Sequence, residues 1–145
     1  MELQFSLWVM MFCSFIIQYF VMSIVMVNSL NNITFSLGKF YISVIMTLFM
    51  GLTEVIMFDI HMQTLSVMYY LTFIIFLTIF IYLYRYQLYI DDDDYLEEMI
   101  EHHSMALLTS EAILQKHPSS HVKKLAENIL STQEKEIEYM RQLIN

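Results

Sequence analysis

Residues 65–84 read LSVMYYLTFIIFLTIFIYLY, twenty consecutive positions without a charge. A helix needs about 20 apolar residues to cross the hydrocarbon core of a bilayer, where its backbone polar groups must be satisfied within the segment itself. Tyr82, Tyr84, Tyr86 and Tyr89 crowd its far end beside Arg85, the aromatic belt and basic flank of a span that meets water. Toward the N-terminus, the short link Asp59–Thr64 separates this run from Phe40–Phe58, and the polar insert Asn28–Lys39 separates that one from Phe5–Val27. The first run lacks a basic leader and a small-residue cleavage motif, so it reads as a retained helix and not a cleaved signal peptide. The expectation is a membrane domain over 1–88 with three transmembrane helices, about 5–27, 40–58 and 65–84. Three crossings place the chain ends on opposite sides of the bilayer.

The 145 residues are 57% hydrophobic and 15% charged, with a net charge of −8. Residues 1–85 carry two basic groups (Lys39, Arg85) and three acidic ones (Glu2, Glu54, Asp59), whereas residues 86–145 hold five basic and twelve acidic side chains and four of the five histidines. The C-terminal segment therefore reads as water-exposed. An acidic balance without a basic patch argues against nucleic acid and against anionic headgroups, and suits a cation. The single cysteine, Cys13, lies in the first run, so the chain alone builds neither a disulfide framework nor a thiolate metal cluster.

Ten of the 13 methionines fall in residues 1–85. Gln18, Met22 and Met26 on the first span, and Met46, Met50, Glu54 and Met57 on the second, recur at near-helical spacing. A soft-metal path is one reading of these stripes; gap-filling between helices is the simpler one. Glu54 is a functional candidate by default as an ionisable group within a span, although it lies near Asp59 and can snorkel to the interface. Only three Ala, two Gly, one Pro and two Arg occur, a composition expected of an AT-rich genome such as that of an endosymbiont, an organelle or a large DNA virus.

Asp91–Asp94 opens the polar segment. Asp94 and Glu97 have capping-box spacing, and acids complement the first turn of a helix. Four consecutive carboxylates without a glycine turn read as a solvated helix start and not as a calcium loop. Leu96, Met99, Ile100, Leu107, Ile113 and Leu114 then follow at helical spacing. Pro118 breaks the pattern, Ser119 or Ser120 can cap a second helix, and its stripe is Val122, Leu125, Ala126, Ile129, Ile137, Met140 and Ile144. Residues 91–145 should form an antiparallel hairpin, and the chain as a whole an all-α protein.

Folding back at Pro118–Ser119 sets His103 level with residue 134 and Met99 level with residue 138. Met99, His102, His103, Gln133, Glu136 and Met140 can then converge at one height. In one reading they hydrogen-bond as register pins of an apolar seam. In the other they hold a metal. Iron is disfavoured, because the Glu-x-x-His pair of di-iron bundles is Met99-x-x-His102 here. Imidazole with thioether suits copper, particularly Cu(I), with zinc through the histidines and Glu136 as second choice. No nucleophile accompanies the histidines, so catalysis is not expected. His117 and His121 flank the turn and should be exposed.

The segments Met99-Ile100-Glu101-His102-His103, Ala106, Leu125-Ala126-Glu127-Asn128-Ile129 and Gln133-Glu134-Lys135-Glu136-Ile137-Glu138-Tyr139-Met140 resemble the M-I-x-H-H … L-A-x-x-I-x-x-x-Q-x-x-E-I-x-x-M pattern of the domain of unknown function 305 family. The resemblance extends to its membrane-anchored members through Val21-Met22, Asn28, Phe35-Ser36 and the methionine-containing second span. It implies a ferritin-like helical fold and, as in some periplasmic relatives, copper held by His and Met; no enzymatic reaction is established for the family. Carried onto matching positions it nominates Met99, His102, His103, Gln133, Glu136 and Met140. Larger members look like two such hairpins in tandem, so a homodimer or higher homo-oligomer can supply the second here. Anchored relatives carry lysines between the second and third spans, which implies a C-terminal domain outside the cytoplasm; this link is Asp59-Ile60-His61-Met62-Gln63-Thr64. Lys39 and Arg85 argue for a cytoplasmic side, and the sequon Asn32-Ile33-Thr34 argues the other way. The two functional classes left are a metal-handling membrane protein and a structural one whose hairpin docks a partner or a second copy.

Overall fold

A computed structural model describes residues 3–144. No strand occurs among the described residues, which are helical apart from the links between helices. The chain forms two compact units: residues up to Val21 with Leu37–Tyr89, and Met22–Ser36 with the residues from Ile90 on.

In the first unit, α1 (Leu3–Ile16) leads into a π-helical turn at Ile17–Val21; the short α2 (Met22–Met26) that follows belongs to the second unit. Helices α3 (Leu37–Met62) and α4 (Val67–Arg85) follow after the interspan segment. Leu3–Met26, Leu37–Met62 and Val67–Arg85, with mean hydropathies of 2.1, 1.9 and 2.1, are all long and apolar enough to cross a membrane. The second helix is longer than the apolar run alone, and Asp59 supplies the reason. Its buried carboxylate accepts from the Ser66 amide at 2.7 Å, the Ser66 hydroxyl at 2.8 Å and the Thr64 hydroxyl at 3.1 Å. The link is thereby folded onto the last turns of α3, and α4 starts at Val67.

Leu7, Leu48, Val55, Phe73 and Leu77 form the core of this unit. Met46, Met50 and Met57 are exposed on this unit and take no part in its core. Glu54 turns inward instead of snorkelling: its carboxylate accepts a hydrogen bond from the Ser6 hydroxyl of α1.

The second unit holds α5 (Asp92–Leu114) and α6 (Ser120–Ile144). The cap of α5 is Asp91, whose side chain accepts from the Asp94 amide at 2.9 Å. That is three residues before the expected Asp94, and it leaves Asp92, Asp93 and Asp94 in the first turn, where the helix dipole favours them. Between the helices His117 adopts a left-handed conformation with φ 52°, and the Ser119 hydroxyl accepts from the Val122 amide at 3.5 Å. A Cβ is unfavourable in that conformation. His117→Gly is therefore expected to stabilise the hairpin by about 0.5–1 kcal/mol, read as a raised melting temperature.

Ile100, Leu107, Ile137 and Met140 are buried between the helices, with Leu96, Met99, Leu130 and Ile144 packed against them. Near the turn the expected stripe opens to solvent, since Ile113, Val122 and Leu125 are exposed. Residues 22–36, expected as the end of the first span (to Val27) and most of the polar insert Asn28–Lys39 of the membrane domain, belong with the hairpin. Val27, Asn32 and Ser36 are buried there, and a 3-10 turn at Leu30–Asn32 is capped by Ser29.

Candidate functional site

Helix α5 presents two polar faces because residues three and four apart share a side. Met99 and His103 lie on the one toward α6. The His103 ring is 15% exposed; its Nδ1 lies 2.7 Å from the Met99 carbonyl oxygen and its Nε2 3.0 Å from Glu136 Oε2. Gln133 Nε2 donates to the same carboxylate oxygen at 3.2 Å. The partner of His103 thus lies two residues beyond the position expected from the turn.

Both neighbours of His103 are acceptors. With Nδ1–H donated to the Met99 carbonyl, the neutral ring turns the Nε2 lone pair onto a carboxylate oxygen, a repulsive contact unless a cation lies between them. A proton on Nε2 is one such cation; a metal is the other. Glu136 is 48% exposed, so water and ions reach this pair.

The remaining nominated residues are placed less closely. His102 is exposed, its ring centroid 6.2 Å from that of His103. Met140 is buried in the apolar cluster against which Met99 packs. Among the described residues, no three His, Cys, Asp or Glu side chains come together in a way that could hold a metal ion. The hairpin therefore brings His103, Glu136 and Gln133 together beside the Met99 backbone, with His102 at the edge and the Met140 sulfur in the core.

On its other side α5 holds residues 22–36 through the Glu101 and Ser104 side chains and the Glu97 backbone carbonyl. Glu101 Oε1 accepts from the Ser23 hydroxyl at 2.6 Å, and Oε2 accepts from the Thr34 amide at 3.1 Å. The Thr34 hydroxyl donates to the Glu97 carbonyl at 2.8 Å. Ser104, with 0% exposure, donates to Asn28 Oδ1 at 2.7 Å and accepts from the Asn28 amide at 3.0 Å and from Asn32 Nδ2 at 3.1 Å. A hydroxyl has one proton and two lone pairs. All three are used.

Asn32 completes this network. Its amide nitrogen also donates to Asn28 Oδ1 at 2.9 Å, and its oxygen accepts from the Arg141 guanidinium of α6. At 5% exposure with its nitrogen engaged, the Asn32 side chain is closed to glycosylation in the folded protein. The sequon thus has a folding role and does not indicate which side of the membrane it occupies. Ser23, Ser104 and Arg141 did not stand out from the sequence as sites; Asn28 entered only through the family resemblance and Asn32 only as a sequon. The available signal was the stripe Glu97, Glu101, Ser104 at spacings of four and three, a second polar row on a helix whose apolar row was already assigned.

Residues 88–145 match the family described as a domain of unknown function (DUF305). Over 136 residues, spanning 94% of this chain and 89% of the relative, the sequence is 32% identical to an uncharacterized protein of Acanthamoeba polyphaga mimivirus. No solved structure matches the chain.

Proposed function

The chain belongs to the DUF305 family, and on that footing we propose that its helical hairpin is a membrane-anchored metal-holding module, with His103 and Glu136 as the first two donors. The observation that carries this reading is the fixed imidazole. A metal-ligating histidine commonly has its other nitrogen tied to a carbonyl, which sets the tautomer and aims the ligating lone pair. His103 is held in this way by Met99, and Glu136 is steadied by Gln133.

Two donors do not complete a coordination shell. A second copy of the hairpin would double the set and bring in His102, and the exposed Ile113, Val122 and Leu125 offer that copy an apolar surface. Because Met140 lies in the core, the donors facing water are nitrogen and oxygen. That set suits copper(II) or zinc better than Cu(I), which would draw on the sulfurs of Met99 and Met140. A bound metal would supply positive charge at the His103–Glu136 contact, for sequestration or transfer of the ion. It should leave as the pH falls, because protons compete for the same lone pair.

One observation favours the metal-free alternative, a scaffold for self-association or partner docking. His103 Nε2 and Gln133 Nε2 both meet Glu136 Oε2, the placement that register pins across the seam require. Metal analysis of untagged protein, purified in detergent and loaded with copper or zinc, separates the two. Stoichiometric metal, lost in His102→Ala/His103→Ala and weakened at least about tenfold in Glu136→Gln, supports the module. Glu136→Gln should cost less than about 1 kcal/mol of stability, since this pair is half in water. No metal in the wild type leaves only the scaffold, and full retention in both variants overturns the assignment of His103 and Glu136 as donors.

A further inference from the structure

One hydroxyl of the first unit is left unused inside it. Thr47, 6% exposed on α3, has its side-chain oxygen shielded from solvent and without a hydrogen-bond partner among the described residues. Threonines on the outside of α3 and α4 behave differently. Thr53, Thr72 and Thr78 are exposed, and each donates to the carbonyl four residues before it, which is how a hydroxyl facing lipid is satisfied. Thr47 faces inward instead, and a buried hydroxyl costs free energy unless water or an ion meets it.

Thr47 belongs to a polar row along the seam between α1 and α3. Lys39, Ser43, Thr47 and Glu54 share one side of α3 at spacings of four, four and seven. Three contacts lay that side on α1: Lys39 Nζ lies 5.2 Å from the centre of the Tyr19 ring, a Cβ on Gly51 would lie 3.2 Å from Met11 Cγ, and the Ser6 hydroxyl donates to Glu54. Their register sets Ser14 of α1 level with Thr47, and both Ser14 and Ser43 are buried. Beyond Ser14 comes the π-helical turn at Ile17–Val21 that carries Tyr19, a departure from α-helix that recurs at functional sites. Glu54 has no opposite charge beside it. Helix α1 carries no charged side chain, and the other charged or imidazole groups of α3 and α4 are Lys39, Asp59, His61 and Arg85, all in end turns. A proton is the simplest charge to neutralise a carboxylate so placed.

We propose that this seam is a proton path: Ser14, Ser43 and Thr47 hold water on the Lys39 side, and Glu54 takes a proton from that water and releases it on the Asp59 side. Each water or hydroxyl accepts one proton as it gives up another. The Glu54 carboxylate becomes a carboxylic acid and then a carboxylate again, so one positive charge crosses and nothing is oxidised or reduced. Lys39 and Asp59 are twenty residues apart, about 30 Å of helix and thus the thickness of a hydrocarbon core. On the α1 side of Gly51, between Thr47 and Glu54, lies Met11, whose flexible thioether can swing aside as the proton passes. The path shares no residue with the metal donors proposed in the hairpin and stands or falls apart from them.

The test uses the full chain in liposomes loaded with pyranine, a fluorescent pH indicator, with a potassium diffusion potential set by valinomycin to draw protons inward. Acidification faster than in protein-free liposomes is expected, slowed at least about tenfold in Glu54→Gln and severalfold in Thr47→Val. Glutamine keeps an acceptor for Ser6, and valine keeps the shape of threonine while deleting a hydroxyl without a protein partner, so both variants should unfold near the wild-type temperature. A Thr47 that merely packs would leave the rate untouched when changed to valine. Acidification no faster than in protein-free liposomes, or undiminished in either folded variant, would overturn the proposal.

Discussion

Replacing Ser104 by leucine should unfold the C-terminal unit at temperatures where the wild type is intact. The side chain at this position is fully enclosed and its hydroxyl makes three hydrogen bonds, to Asn28 Oδ1, the Asn28 amide and Asn32 Nδ2. Leucine has no space there, and overpacking alone costs about 1–3 kcal/mol. It also strands the Asn28 amide, and each donor left unpaired in a buried setting costs a further 1–3 kcal/mol or so. The total, roughly 2–6 kcal/mol, approaches at its upper end the whole stability of a small domain. Ser104→Ala removes the hydrogen bonds without adding volume and should fall between the two. Limited proteolysis in detergent reads the outcome. Cleavage within residues 91–145 should be rapid in the leucine variant, intermediate in the alanine variant and slow in the wild type. Equal protection of all three would mean that the interspan segment does not depend on this hydroxyl.

Ser104 also marks where the sequence stops being legible. The three apolar runs and the hairpin could be read because each rests on a signal local to its own segment. Charge-free length betrays a span, and helical spacing interrupted at Pro118 betrays a turn. The pairing of His103 with Glu136 was nearly legible, since the position of the turn fixes which residues lie level. The burial of Met140 was not, because an apolar stripe does not tell a sulfur ligand from a core side chain. Least legible was the role of residues 22–36, which meet α5 across more than 60 positions of sequence. A run of Asn, Ser and Thr beside a span looks the same whether it is bathed in water or folded onto Glu101 and Ser104. Only tertiary contact decides between the two. The expected position of Glu54 failed for a related reason: its proximity to Asp59 suggested an escape to the interface, whereas a hydroxyl on α1 meets it within the unit.

The first unit, with its three helices long and apolar enough to cross a membrane, offers the second large effect, at Gly51. This glycine is buried on α3, and a Cβ placed there would lie 2.7 Å from Phe73 Cζ, 2.8 Å from Phe73 Cε1 and 3.2 Å from Met11 Cγ. Phe73 is itself buried with Leu48, Val55 and Leu77, so its ring has little room to retreat. In lipid the hydrophobic effect contributes little to helix association, and close packing at small residues carries much of it. Gly51→Leu is therefore expected to separate α3 from α4 at a cost of roughly 3 kcal/mol or more, with Gly51→Ala showing a smaller loss in the same direction. The diagnostic variant is Gly51→Leu combined with Phe73→Ala. Phe73→Ala alone opens a cavity and should destabilise by about 3–5 kcal/mol, yet the added leucine can occupy part of that space. The double variant should then be more stable than the two single losses added together, a coupling of at least about 1 kcal/mol measurable by thermal unfolding in detergent. Additive losses would place the Phe73 ring away from Gly51 and remove the reason for a glycine at that turn of α3.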